Sequence, residues 1–141
     1  MDIERIIDIE ASREQVWTVM TDVERWPEWT ASVTSVALLD AAPFDVGSHA
    51  RLRQPRLPVA VWTVTAFEPE RYFEWQTGVP SVRTVAGHRV EATGSDSTRV
   101  TLSVRWSGPL APFIGLLYSK RSRRYVGLEA QGLKQRCEAS P

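Results

Sequence analysis

The chain has 141 residues, 43% of them hydrophobic and 24% charged, with a formal net charge of zero. That length suits one domain with a single sizeable core, and the composition excludes a disordered chain. Neutral charge argues against a dedicated nucleic-acid binder, and a single cysteine, Cys137, excludes an intrachain disulfide and argues against a metal cluster.

Ile3, Ile7 and Ile9 alternate with Glu4, Asp8 and Glu10, which predicts a first strand with one buried face. The same acids interrupt any signal-peptide core, and no apolar run approaches about 18 residues, so a soluble cytoplasmic protein is expected. Ser12 opens a helix as a capping box, Ser-x-x-Gln, with Gln15 at the third position. Val16, Val19, Met20 and Val23 form its apolar stripe. Thr21 and Asp22 offer a break, and Val23 to Trp29 is a short second helix or turn marked by Trp26-Pro27.

From Ser32 the period changes to two. Strands are predicted over 32–40, 47–54, 59–68, 71–77, 82–93 and 98–106. Their separators are turn-prone: Ala42-Pro43, Pro55 to Pro58, Glu68-Pro69, Gly78 with Pro80, and Gly94-Ser95-Asp96. Connections this short favour antiparallel pairing. Gly108-Pro109 then ends the sheet, and Leu110 to Glu138 reads as one helix of roughly 40 Å. Leu110, Phe113, Ile114, Leu117, Tyr118, Tyr125, Leu128 and Leu133 follow steps of three and four along it. The fold class is α+β. A lone terminal helix of that length needs a curved sheet to lie in, an arrangement that often leaves a cavity, so a small apolar molecule is the expected partner.

Charge is uneven along the chain. Residues 1–30 carry eight acids against three arginines, and residues 110–138 carry six bases against two acids. Two solvated faces attracting each other across the fold are expected. A membrane-surface role for Lys120, Arg121, Arg123 and Arg124 is the alternative.

Particular stretches carry a family resemblance: Ile9 to Ser12 with Val16-Trp17, Asp22 to Trp29 (DVERWPEW), Gln54-Pro55 with Trp62 to Val64, and Phe73 to Trp75. Gly87 to Glu91, Ser107 to Leu110 and the tail Glu129 to Glu138 (EAQGLKQRCE) complete it. The chain resembles the polyketide cyclase/dehydrase-type branch of the START-like (SRPBCC) superfamily. That resemblance implies a helix-grip fold, one domain over 1–141 in which a seven-stranded antiparallel sheet wraps a C-terminal helix. Superfamily members include lipid carriers, hormone receptors, ring-closing polyketide enzymes and quinone-binding chaperones, which share a cavity and no invariant catalytic set. The implied function is binding of a small hydrophobic or aromatic ligand as carrier or sensor. The alternative is a polyketide cyclase/aromatase or dehydratase in the same cavity. No cofactor is implied.

His88 is the sharpest candidate for chemistry. It shares a strand face with Val82, Ala86, Val90 and Ala92, and a buried imidazole there accepts a proton or bonds a ligand carbonyl. The competing role is a structural histidine bonded to backbone or tyrosine. His49, beside Arg51 and Arg53, is expected in solvent. The resemblance puts Trp62 and Trp75 on the wrapping sheet, with Trp26 and Trp29 near the mouth and Trp106 ending the last strand. Flat rings line pockets for planar ligands, and they also simply fill cores. The expected ligand-contacting set is Trp29, Trp62, Trp75, His88, Phe113 and Leu117, with Gly115 on the pocket floor. Tyr72, Tyr118, Tyr125, Glu74, Arg51 and Arg53 are the remaining polar candidates. No catalytic triad, typical zinc site or phosphate-cradling glycine loop is indicated.

Overall fold

A computed structural model describes residues 2–139. Seven strands, β1 (Asp2–Ile9), β2 (Ser35–Leu38), β3 (His49–Arg53), β4 (Ala60–Glu68), β5 (Tyr72–Val79), β6 (Val82–Gly94) and β7 (Ser97–Ser107), form one antiparallel sheet. Its order is β1-β7-β6-β5-β4-β3-β2. Helix α1 (Arg13–Thr21) and a 3₁₀ helix (Val23–Glu28) carry the chain from β1 to the far edge. From there β2 to β7 return as a meander of hairpins, which the short connections predicted. Register shifts between Val64 and Ala66 and between Ala92 and Gly94 add local bend to the long strands. The result is a helix-grip α+β fold.

Helix starts follow local chemistry. The Ser12 hydroxyl accepts from the Gln15 amide at 3.2 Å, capping α1. The Gln15 side chain does not close the reciprocal half of the box. Its Nε2 donates instead to the Cys137 carbonyl at 3.0 Å, tying α1 to the end of the terminal helix. That helix, α2 (Ala111–Ala139), has 29 residues and packs on β1, β7 and β6. Gly108 makes the turn into it. Its φ of 106° is left-handed, and a Cβ there would sit 2.6 Å from the Ser81 carbonyl oxygen. The Leu110 amide then donates to that same carbonyl at 2.9 Å.

The core lies between the concave sheet face and the helices. Val100 and Leu102 of β7, Phe73 and Trp75 of β5, and Val16 and Met20 of α1 meet Ala130 and Leu133 of α2, all essentially sealed from solvent. One pair of opposite charges meets across the fold at the far end of α2, Arg136 with Glu28 at 2.7 Å, and Lys134 donates beside it to the Asp8 backbone carbonyl at 2.8 Å.

Candidate functional site

Between α2 and the concave face of the sheet lies a cavity of about 360 Å³. Strand alternation builds one wall. Trp62 of β4, Trp75 of β5 and His88 of β6 lie side by side on the inner face, with ring centroids 5.8 Å apart at each step. Trp26 of the 3₁₀ helix packs behind them, 5.3 Å from Trp75 and 5.7 Å from His88. Its indole N–H donates to the Met20 carbonyl at 2.9 Å, which fixes the ring. Ile114, Tyr118, Tyr125, Val126 and Glu129 of α2 face the opposite wall. The Tyr125 hydroxyl donates to the Pro55 carbonyl, joining that wall to the β3–β4 loop.

The walls also carry uncharged polar side chains, among them Gln54, Thr77, Thr84, Ser103 and Ser122. Trp62 lines the cavity, and its Nε1–H is buried with no hydrogen-bond partner among the described residues. His88 is 3% exposed and stacks flat on Phe73, with centroids 4.0 Å apart and planes 7° from parallel. Its Nδ1 lies 3.3 Å from the Phe73 carbonyl oxygen. A carbonyl only accepts, so Nδ1 carries the proton and Nε2 presents its lone pair. Glu129 Oε2 stands 4.0 Å from that Nε2.

The two groups are not an ion pair. Burial pushes the His88 imidazole down to about 3, partly offset by its bond to Phe73, and pushes the Glu129 carboxyl up to about 8. At neutral pH both are uncharged. Four ångströms is also too long for a hydrogen bond, and the Glu129 carboxyl makes none among the described residues.

Of the residues expected from sequence, Trp62, Trp75 and His88 come together on the cavity wall. Phe113 and Leu117 do not. They are 71% and 70% exposed, because the cavity-facing stripe runs through Ile114 and Tyr118 one position on. Trp29 is likewise displaced from the expected position. It is half-buried behind Trp26, 5.7 Å between rings, and lies over Gly132 rather than on the cavity wall. Gly115 is buried away from the cavity. Tyr72 and Glu74 hydrogen-bond each other at 2.7 Å away from the cavity walls, Arg51 and Arg53 are exposed, and His49 pairs with Asp40. Sequence reasoning missed Glu129. Its signal was present: it is the only acid between Ser97 and Cys137, and it falls eleven residues after Tyr118, about 20° away around a helix.

A curved sheet gripping a long helix over an apolar cavity defines a START-like protein. The family model described as polyketide cyclase / dehydrase and lipid transport matches residues 1–138, and the chain belongs to that family. Solved structures share the fold at low identity. The Zhui aromatase/cyclase from Streptomyces sp. R1128 superposes with a TM-score of 0.75 at 15% identity, over 98% of this chain and 93% of that one. A START superfamily protein from Mycobacterium smegmatis gives 0.76 at 15% identity, over 98% and 97%. Norcoclaurine synthase from Thalictrum flavum, in complex with dopamine and hydroxybenzaldehyde, gives 0.77 at 13%, over 100% and 88%. No curated protein matches the chain.

Proposed function

We propose that the chain binds a small, uncharged, hydroxyl-bearing aromatic molecule in this cavity, as carrier or sensor. One observation carries the reading: in an aromatic-walled cavity the titratable pair, His88 and Glu129, is uncharged and unbonded at 4.0 Å, so a ligand oxygen set beside the two would accept from the Glu129 O–H and donate to His88 Nε2. Among the described residues no lysine, arginine or aspartate lines the space, so no cation there compensates an anionic ligand. Trp62 and Trp75 supply flat apolar surface. Calorimetric titration with 2-naphthol and naphthalene tests this. The hydroxyl compound should bind about tenfold tighter, the worth of one buried hydrogen bond, and Glu129→Ala should erase the preference. Equal affinities for both probes in the wild type would sink the reading.

A second reading, a dehydrating aromatase/cyclase, draws on the same 4.0 Å approach. Glu129 would protonate a departing hydroxyl while His88 Nε2 removes the adjacent proton. A C–O and a C–H bond break, a C=C bond forms, water leaves, and the proton on His88 returns to Glu129. At rest the proton sits firmly on the carboxyl, so charging the pair is uphill, which is why binding leads. Conversion of 3-hydroxy-1-tetralone to 1-naphthol and water, lost in His88→Gln while 1-naphthol still binds, would favour the enzyme.

A further inference from the structure

The outer face of α2 carries a surface that the cavity does not explain. Phe113, Leu116 and Leu117 project from its first two turns and are 71%, 75% and 70% exposed. Leu110, 46% exposed, and Val79, 56% exposed at the tip of the β5–β6 hairpin, extend the patch. The Leu110 amide bonded to Ser81 holds that tip beside the helix start. Soluble monomers rarely leave so many large apolar side chains clustered in solvent.

Basic residues follow on the same face. Lys120, Arg123 and Arg124 are exposed one to two turns further along, and Lys120, Arg121, Arg123 and Arg124 form no ion pair among the described residues. Arg121 reaches across to the Arg56 carbonyl at 3.2 Å, which brings the β3–β4 loop and its arginine alongside. Asp2 and Glu4 share a crevice with Arg123, so Lys120 and Arg124 are the cations with the freest outlook. The stretches that reach this end, 51–61, 75–85 and 103–128, contain no aspartate or glutamate. Neutral net charge hides this separation.

We propose that this end of the molecule docks on an anionic membrane surface. Phe113, Leu116 and Leu117 enter the boundary between headgroups and acyl chains, a depth of about 5–10 Å, and Lys120 and Arg124 pair with the lipid phosphates. A second copy of the chain is a poorer occupant, since the stretches at this end of a second copy offer no aspartate or glutamate to Lys120 and Arg124. Leu57, Pro58, Ile114 and Tyr118 of the cavity wall lie at the same end, so an apolar ligand passes directly between bilayer and cavity. The docking rests on the surface alone and holds whether the cavity carries its ligand or transforms it.

Co-sedimentation of the ligand-free protein with vesicles tests it. Phosphatidylcholine vesicles containing about 30 mol% phosphatidylglycerol should bind the protein, pure phosphatidylcholine should not, and added salt should weaken binding. Lys120→Gln with Arg124→Gln should lower affinity roughly 25-fold, at about fivefold per cation. Phe113→Ser, Leu116→Ser and Leu117→Ser together should abolish binding with the unfolding temperature unchanged. Wild-type protein left in the supernatant, or full binding by the triple serine variant, would overturn the proposal. So would a solution dimer that the same three serines dissociate, which would assign the patch to a second copy.

Discussion

At the scale of single residues, His88 and Glu129 make a prediction through proton counting. The ordinary imidazole value is 6.5 and falls to about 3 on folding, while the ordinary carboxyl value is 4.5 and rises to about 8. Between about pH 4.5 and 6.5 the unfolded pair holds one proton, on the histidine, and the folded pair holds one, on the glutamate. Stability from this pair is therefore flat there. Above 6.5 the unfolded pair has released its proton and the folded pair keeps one, so stability falls until about pH 8. Below 4.5 the unfolded pair gains a second proton that the folded pair refuses until about pH 3, so stability falls again. Urea unfolding from pH 4 to 9 should show this plateau with two shoulders. Glu129→Gln should remove the alkaline decline and His88→Gln the acid one. A wild-type profile that rises from pH 4.5 to 6.5 and stays flat from 6.5 to 8 would mean that Glu129 is ionised beside a neutral His88 in the folded protein.

At the scale of elements, two glycines of α2 separate close packing from spare room. A Cβ on Gly132 would lie 1.9 Å from the Trp29 carbonyl oxygen, a backbone atom that cannot swing away. Helix propensity favours alanine by about 1 kcal/mol. Displacing the segment after the 3₁₀ helix, on which Trp26 and so His88 depend, outweighs that, and Gly132→Ala should destabilise by about 1–3 kcal/mol. At Gly127 the nearest atom is the Arg5 guanidinium at 3.4 Å, the mobile end of a side chain, so Gly127→Ala should stabilise by up to about 1 kcal/mol. Thermal unfolding of the two variants reads both signs, and equal shifts would refute the distinction. The elements themselves were plain in the sequence. Alternation, the Ser12 cap and the Gly108-Pro109 boundary are local signals, and each strand formed inside or within a few residues of its predicted span. What α2 faces was not local. Over its first turns Phe113 and Leu117 make one apolar stripe and Ile114 and Tyr118 the next. Periodicity alone cannot choose between neighbouring stripes. The choice is made by where the sheet ends, which no short window of sequence contains, and the same reliance on apolar positions passed over Glu129.

At the scale of the whole molecule, the open question is how much of the interior is held for a guest rather than packed for stability. Interiors are normally filled to crystal-like density, and adding methylenes to a filled core costs about 1–3 kcal/mol. Ala86 of β6 decides the matter. It lines the cavity between its cross-strand partners Trp75 and Val104, next to the wall that holds His88. In Ala86→Leu the three added carbons enter the cavity and gain about 0.8 kcal/mol each on burial. Stability should hold or rise by about 1–2 kcal/mol in urea unfolding, while 2-naphthol affinity falls at least tenfold because the aromatic wall is blocked. A loss of 1–3 kcal/mol would mean instead that the interior is already full around Ala86. The opposed signs matter because loss of binding alone also follows from misfolding, whereas a more stable protein that no longer binds has lost only its space.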